Sequence, residues 1–193
     1  MPATIIDSII FGNMFSTDAM KSVWSDENRT RKYLEIEAAL ARVQARLGII
    51  PQNAADEIVA ACDISKIDMQ KLQAQTERIG YPVLGVVSQI NALCRDHLGE
   101  YCHWGATTQD ITDTATVLQI RDALALVEED LAAVSAALAS LASRYRDTPM
   151  VGRSNLQQAV PVTFGYKMAG LLSAVERHRE RLSQLRPRVL MGD

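Results

Sequence analysis

The sequence predicts an all-α protein, with a small helical N-terminal domain over residues 1–105 and the opening long helices of an incomplete bundle over 106–193. Two observations carry this expectation. Aromatic residues make up only 5% of the chain while 48% is hydrophobic, much of it Ala and Leu, a balance that favours helix over sheet. Apolar residues also recur at alternating three and four spacing along two long stretches, Val117 to Tyr145 and Phe164 to Val189. That spacing places them on one face of a helix.

The elements follow in order. Residues 1–14 read as an irregular, largely apolar arm. A helix is expected from Asp26 to Leu47, with Ser25 as its N-cap and Asp26 and Glu27 at its positive end. Tyr33, Ile36, Leu40, Val43 and Leu47 form its apolar stripe, and Gly48 and Pro51 end it. Shorter helices are expected over Asn53 to Cys62, over Lys66 to Arg78 after Ser65, and from Pro82 to Leu98, the last stopping at Gly99. The first long seam is Val117, Ile120, Leu124, Val127, Leu131, Val134, Leu138, Leu141 and Tyr145, on a helix from Thr112 to Arg146 with no Pro or Gly inside. A loop through Pro149 and Gly152 leads to the second seam, Phe164, Met168, Leu171, Val175, His178, Leu182, Leu185 and Val189, which makes the two helices antiparallel neighbours. Two such helices do not bury their own apolar faces. The chain stops at Met191-Gly192-Asp193 directly after the second seam. Self-association, together with a polypeptide that is longer in its complete form, is therefore expected.

Composition narrows the function. The formal net charge is -3 and there is no basic arm, which argues against nucleic acid as a partner. The arginines between Arg177 and Arg188 alternate with Glu176, Glu180, Leu182 and Leu185, as on a solvated or intersubunit helix face. Cys62, Cys94 and Cys102 are odd in number and widely spaced, which points to a reducing, cytoplasmic setting without a disulfide framework or zinc site. No leader pattern and no apolar run of membrane-spanning length is present, so neither export nor membrane insertion is expected.

Two polar clusters flank the first long helix. His103-Trp104-Gly105-Ala106-Thr107-Thr108-Gln109-Asp110 opens it, followed by Thr112, Asp113 and Thr114. Arg153-Ser154-Asn155-Leu156-Gln157-Gln158 follows it. Thr107, Thr108 and the free N–H groups of a helix start suit a carboxylate or phosphate. His103 suits charge neutralisation or proton movement near neutral pH. Gln109 and Asn155 suit uncharged hydrogen bonds to a carboxylate, and Arg153 a bidentate clamp. Taken singly, each residue has a structural reading: Thr108 or Thr112 as an N-cap, Asp110 and Asp113 as helix-dipole partners, Arg153 as a cap of the turn. His97, His178 and Trp24 read as structural. One antiparallel pair of long helices holds the two clusters apart, so a shared site calls for several subunits.

On these residues the chain resembles the fumarase/aspartase superfamily, in particular the branch of adenylosuccinate lyase and 3-carboxy-cis,cis-muconate cycloisomerase. His103 to Ala115 is similar to the first characteristic segment, Gly152 to Gly165 to the second, and Phe15-Ser16 through Asn28 to the opening of this branch. The resemblance implies a homotetramer whose active sites combine segments from three subunits, no metal or organic cofactor, and a small polycarboxylate substrate. It implies catalytic roles for His103 and Thr108. It implies substrate contacts from Thr107, Gln109, Asp110 and Gln157, to which Arg153 and Asn155 are added as candidate contacts by their side-chain chemistry. The catalytic base is expected on a serine-bearing loop beyond residue 193, so these residues alone are expected to be inactive. Asn155 stands where adenylosuccinate lyase and fumarase have histidine, and Thr76 to Pro82 lacks the histidine of a second lyase element. Both departures favour cycloisomerisation of 3-carboxy-cis,cis-muconate to a carboxylated muconolactone. The alternatives are a fumarate-releasing lyase of a substituted succinate and a non-catalytic helical oligomerisation protein.

Overall fold

The computed structural model describes residues 4–6 and 8–192. It divides into two compact units, Met1–Asp122 with Leu190–Asp193, and Ala123–Val189.

The first unit opens with the short helices α1 (Gly12–Phe15) and α2 (Asp18–Val23), the latter capped by Thr17. Helix α3 (Asp26–Arg46) starts where its cap predicts, with Ser25 Oγ accepting from Asn28 N at 3.1 Å. It ends before Gly48, whose φ of +72° suits glycine. Its inward face differs from the predicted stripe. Thr30, Tyr33, Leu34, Glu37, Ala38, Ala41 and Gln44 are buried, whereas Val43 and Leu47 are exposed. The buried face is rotated by roughly 100°, one residue step, from the apolar stripe. Small Ala38 and Ala41 let neighbouring helices approach closely, and Glu37 and Gln44 lie inside because partners meet them there.

Helix α4 (Gln52–Ala61) packs on α3. Helix α5 (Met69–Ile79) begins later than expected, because Asp63 engages Ser65 in a separate 3-10 turn and Asp68 caps the helix, accepting from Lys71 N at 3.0 Å. Helix α6 (Val83–Leu93) stops short of the predicted Leu98. The N–H of Arg95 turns to the Glu57 carboxylate at 3.2 Å instead of continuing the helix, and the Arg95 guanidinium joins the same carboxylate. A 3-10 turn, Leu98–Tyr101, follows. Leu34, Ile58, Leu72, Val86 and Ile90 make the core, closed by Ile111 and Ala115 from the first turns of helix α7 (Thr108–Arg144). At 37 residues α7 is about 55 Å long.

The second unit holds the rest of α7, the strands β1 (Pro149–Ser154) and β2 (Gln157–Thr163), and helix α8 (Phe164–Val189). Within it the helices run antiparallel, as the seams predict: Ser135 bonds Glu176, and Arg186 Nη1 reaches Glu128 Oε2 at 2.6 Å. Tyr145 and Phe164 meet edge to face with ring centroids 5.5 Å apart. Val127, Val134, Leu171 and Leu185 of the seams remain exposed. The predicted loop is an antiparallel ribbon, Pro149 opposite Thr163 and Ser154 opposite Gln157, closed by Asn155 and Leu156. Their φ angles of +49° and +62° are those of a type I′ turn, whose twist suits a two-residue hairpin. The β-branched residues Val151, Val160, Val162 and Thr163 favour strand here. Apart from this ribbon the fold is helical, in agreement with the predicted class.

Candidate active site

The site begins with a buried acid. Glu37, on the inward face of α3 with a side chain 1% exposed, meets His103 from the segment ahead of α7, with 2.6 Å between His103 Nδ1 and Glu37 Oε1. The Cys102 thiol approaches the other oxygen, Oε2, at 3.8 Å. Two turns along the same face, Gln44 Nε2 donates to the carbonyl of Trp104 at 2.7 Å. The His103 backbone has a φ of +61°, sparsely populated for a side-chain-bearing residue. Glu37 and Gln44 together hold this segment on α3.

The hydrogen bond to Glu37 raises the His103 pKa, and burial opposes it only in part. A larger share of the imidazole is therefore protonated at neutral pH than in a free histidine. Burial, with the Glu37 charge second, pushes the Cys62 thiol up to about 12 and drives Cys102 up as well. Neither is a nucleophile at neutral pH. A group whose folded pKa is raised stabilises the fold below its unfolded value, and that contribution is lost as pH rises through the folded value. The unfolding free energy from urea titration is therefore expected to fall between about pH 9 and 11, by about 1.4 kcal/mol per pH unit for each thiol ionised only in the unfolded chain. Replacing Cys62 and Cys102 with Ala should flatten this slope, and a flat profile in the unsubstituted protein contradicts the assignment.

At the helix start, Thr107 N donates to Asp110 Oδ2 at 2.8 Å, the half of a capping box in which the third helical residue reaches back. This arrangement begins α7 at Thr108. Thr112, an alternative cap by sequence, instead turns its hydroxyl back to the Gln109 carbonyl at 3.2 Å. His103, Thr107, Thr108, Gln109 and Asp110 thus gather within the first unit, with Thr107 and Gln109 exposed and the others half-buried. Two open grooves flank the start of α7. One, of about 620 Å³, is lined by Leu40, Val43, Trp104, Asp110 and Thr114. The other, of about 590 Å³, brings Thr76 and Glu77, the stretch without the lyase histidine, beside Arg29, Tyr33 and Thr112.

Arg153, Asn155 and Gln157 belong to the second unit and are exposed on the ribbon. Arg153 pairs with Gln158, and Gln157 with Ser154. Since faces alternate along a strand, Arg153 and Gln157 lie on opposite faces and do not converge within the ribbon. Among the described residues no group of three or more His, Cys, Asp or Glu is placed to hold a metal ion, and no helix is long and apolar enough to cross a membrane.

Sequence reasoning missed Glu37 and Gln44. Their separation of seven residues, in phase with Tyr33, Leu34 and Ala41, marks them as inward-facing once the small alanines are counted with the core.

Known proteins resemble this chain in sequence and fold. A family model described as "Lyase" matches residues 13–193. Trans-aconitate decarboxylase 1 of Mycosarcoma maydis is 58% identical over 177 residues, covering 92% of this chain and 36% of its own length. The crystal structure of a fumarate lyase from Mesorhizobium sp. BNC1 is 52% identical with a TM-score of 0.89, over 93% of this chain and 42% of its own. That of the 3-carboxy-cis,cis-muconate lactonizing enzyme from Pseudomonas putida is 40% identical with a TM-score of 0.92, over 96% and 43%. The chain thus spans less than half the length of each of these proteins.

Proposed function

The chain belongs to the fumarase/aspartase superfamily of lyases, and from that membership we propose that the full-length protein is an enzyme acting on a small unsaturated tricarboxylate. The observation that carries this reading is the His103 imidazole, tied at Nδ1 to Glu37, beside the hydroxyl-bearing start of α7. The imidazole supplies a proton or a positive charge. Thr107, Thr108 and the free N–H groups of the helix supply donors for a carboxylate whose charge grows during reaction. Asp110 contributes by holding the Thr107 backbone. Gln109, Arg153, Asn155 and Gln157 serve the remaining carboxylates, the ribbon residues doing so in a neighbouring copy's site within a homotetramer.

Cycloisomerisation of 3-carboxy-cis,cis-muconate is the first reading. A carboxylate oxygen adds to one alkene carbon and a proton to its neighbour. Asn155 in place of histidine and the wording of Gly105-Ala106-Thr107 and Pro161 to Gly165 support it, as does the likeness to the lactonizing enzyme. A second reading, decarboxylation of trans-aconitate, is favoured by the 58% identity to a decarboxylase of that compound. Carbon dioxide leaves, and the electron pair left on carbon takes up a proton. Both substrates carry three carboxylates around an alkene and require proton delivery to carbon. Release of fumarate from a succinyl adduct is the alternative, supported by the likeness to a fumarate lyase.

The test gives the full-length protein each of the three substrates, following ultraviolet absorbance, carbon dioxide and fumarate. Turnover of a tricarboxylate is expected. Fumarate from a succinyl adduct, with both tricarboxylates untouched, overturns the reading. Thr108→Ala should lower turnover at least tenfold, about 1.4 kcal/mol in the barrier. Unchanged turnover reduces Thr108 to a helix-start residue.

A further inference from the structure

We propose that Glu37 is a positioning residue for His103, fixing its ring so that Nε2 faces outward as a substrate-directed cation and proton donor. The inference rests on the reading of His103 given above and assigns a role to a residue outside both motif segments. Glu37 lies on α3, 66 positions before His103, which belongs to the segment ahead of α7, and its side chain is the more buried of the two, 1% exposed against 20%. A carboxylate removed from water needs a hydrogen-bonded partner. Among the described residues its partners are the His103 ring at 2.6 Å and the Cys102 thiol at 3.8 Å. The hydrogen on Nδ1 is committed to this contact, which leaves Nε2 as the ring nitrogen for substrate and sets the tautomer whenever the ring is neutral.

Other titratable groups face the pair. Asp110 of α7 adds negative charge near the imidazole. The thiols of Cys62, at the end of α4, and of Cys102 face Glu37, Cys94 at the end of α6 faces those two thiols, and Arg42 of α3 faces Cys62. The thiols stay neutral and bring no positive charge, so the imidazolium is the cation that meets Glu37. The left-handed backbone of His103 and the hold of Gln44 on the next carbonyl fix the ring's point of attachment. Backbone and ring are thus constrained from α3 through two separate hydrogen bonds.

The test is carbethoxylation of the full-length protein by diethyl pyrocarbonate, which at a histidine attacks only the unprotonated ring nitrogen. The rate at His103 is followed against pH by peptide mass spectrometry, in the unsubstituted protein and in Glu37→Gln. The expected midpoint in the unsubstituted protein lies above the ordinary histidine value of about 6.5. In Glu37→Gln it should fall, and turnover of 3-carboxy-cis,cis-muconate or trans-aconitate should fall at least tenfold. An unmoved midpoint in a folded Glu37→Gln protein overturns the proposal. Should that variant fail to fold, a midpoint at or below about 6.5 in the unsubstituted protein overturns it equally. His103→Gln separates the two levels of inference. If His103→Gln abolishes turnover while Glu37→Gln leaves it intact, Glu37 is not a positioning residue. If His103→Gln is itself silent, the reading of the active site has failed.

Discussion

Gly165→Ala is expected to lower the melting temperature by roughly 4–8 °C, about 2 kcal/mol for a chain of this size. In an ordinary helix the change would stabilise by up to about 1 kcal/mol, because alanine is the better helix former. Here sterics decide the sign. A Cβ at Gly165 would lie 2.6 Å from the Ala142 carbonyl oxygen, 2.6 Å from Arg146 Cα and 2.8 Å from Arg146 N. All three atoms are backbone and cannot rotate aside. The same approach allows Gly165 N to donate to the Tyr145 carbonyl at 2.9 Å, joining the start of α8 to the residue just past the end of α7. Overpacking of this kind costs about 1–3 kcal/mol, more when backbone must move. Gly170 supplies the contrast on the same helix, since a Cβ there meets nothing within 4 Å. Gly170→Ala should therefore raise the melting temperature. Thermal melts of the two variants with the same sign of shift would contradict the argument.

Ile58→Ala is expected to cost about 3 kcal/mol, within the 2–5 kcal/mol range for deleting a buried aliphatic side chain. Ile58 is 0% exposed on α4, in the same core as Leu34, Val86 and Ile90. Truncation leaves a cavity that these neighbours fill only in part. Leu47→Ala should change stability by no more than about 0.5 kcal/mol, because Leu47 is 65% exposed. By sequence Leu47 belongs to the apolar stripe of its helix. Urea denaturation of Leu47→Ala thus tests whether the apolar stripe of α3 faces outward, with Ile58→Ala on α4 as the buried reference, and equal losses would contradict the observed packing.

Much of the fold is legible in the chain because its signals are local. Ser25 caps α3 through an atom three residues away, and the apolar rhythm of α7 repeats within every turn. What escapes the sequence depends on distant partners. The end of α6 is set by Arg95 meeting Glu57, 38 residues earlier. The choice between two faces of α3 is settled by Ala38 and Ala41 packing closely and by His103 and Trp104 receiving Glu37 and Gln44. The ribbon is disguised by residues that also read as a polar binding segment. For the candidate site, the residues ahead of and within the first turn of α7 stand out as chemically overloaded. The acid that orients the histidine does not, since on its own a glutamate in a helix is unremarked.

The type I′ turn at Asn155 and Leu156 has a consequence for how such a protein can diverge. Left-handed backbone is strained for most side chains, but Asn, Asp and His adopt it several-fold more readily than others. With a φ of +49°, position 155 therefore accepts asparagine or histidine with little change to the ribbon. A neutral amide and a proton-transferring imidazole are interchangeable there at small conformational cost. The turn makes position 155 tolerant of an exchange between an uncharged amide and a titratable ring, while the helices that carry the ribbon stay as they are.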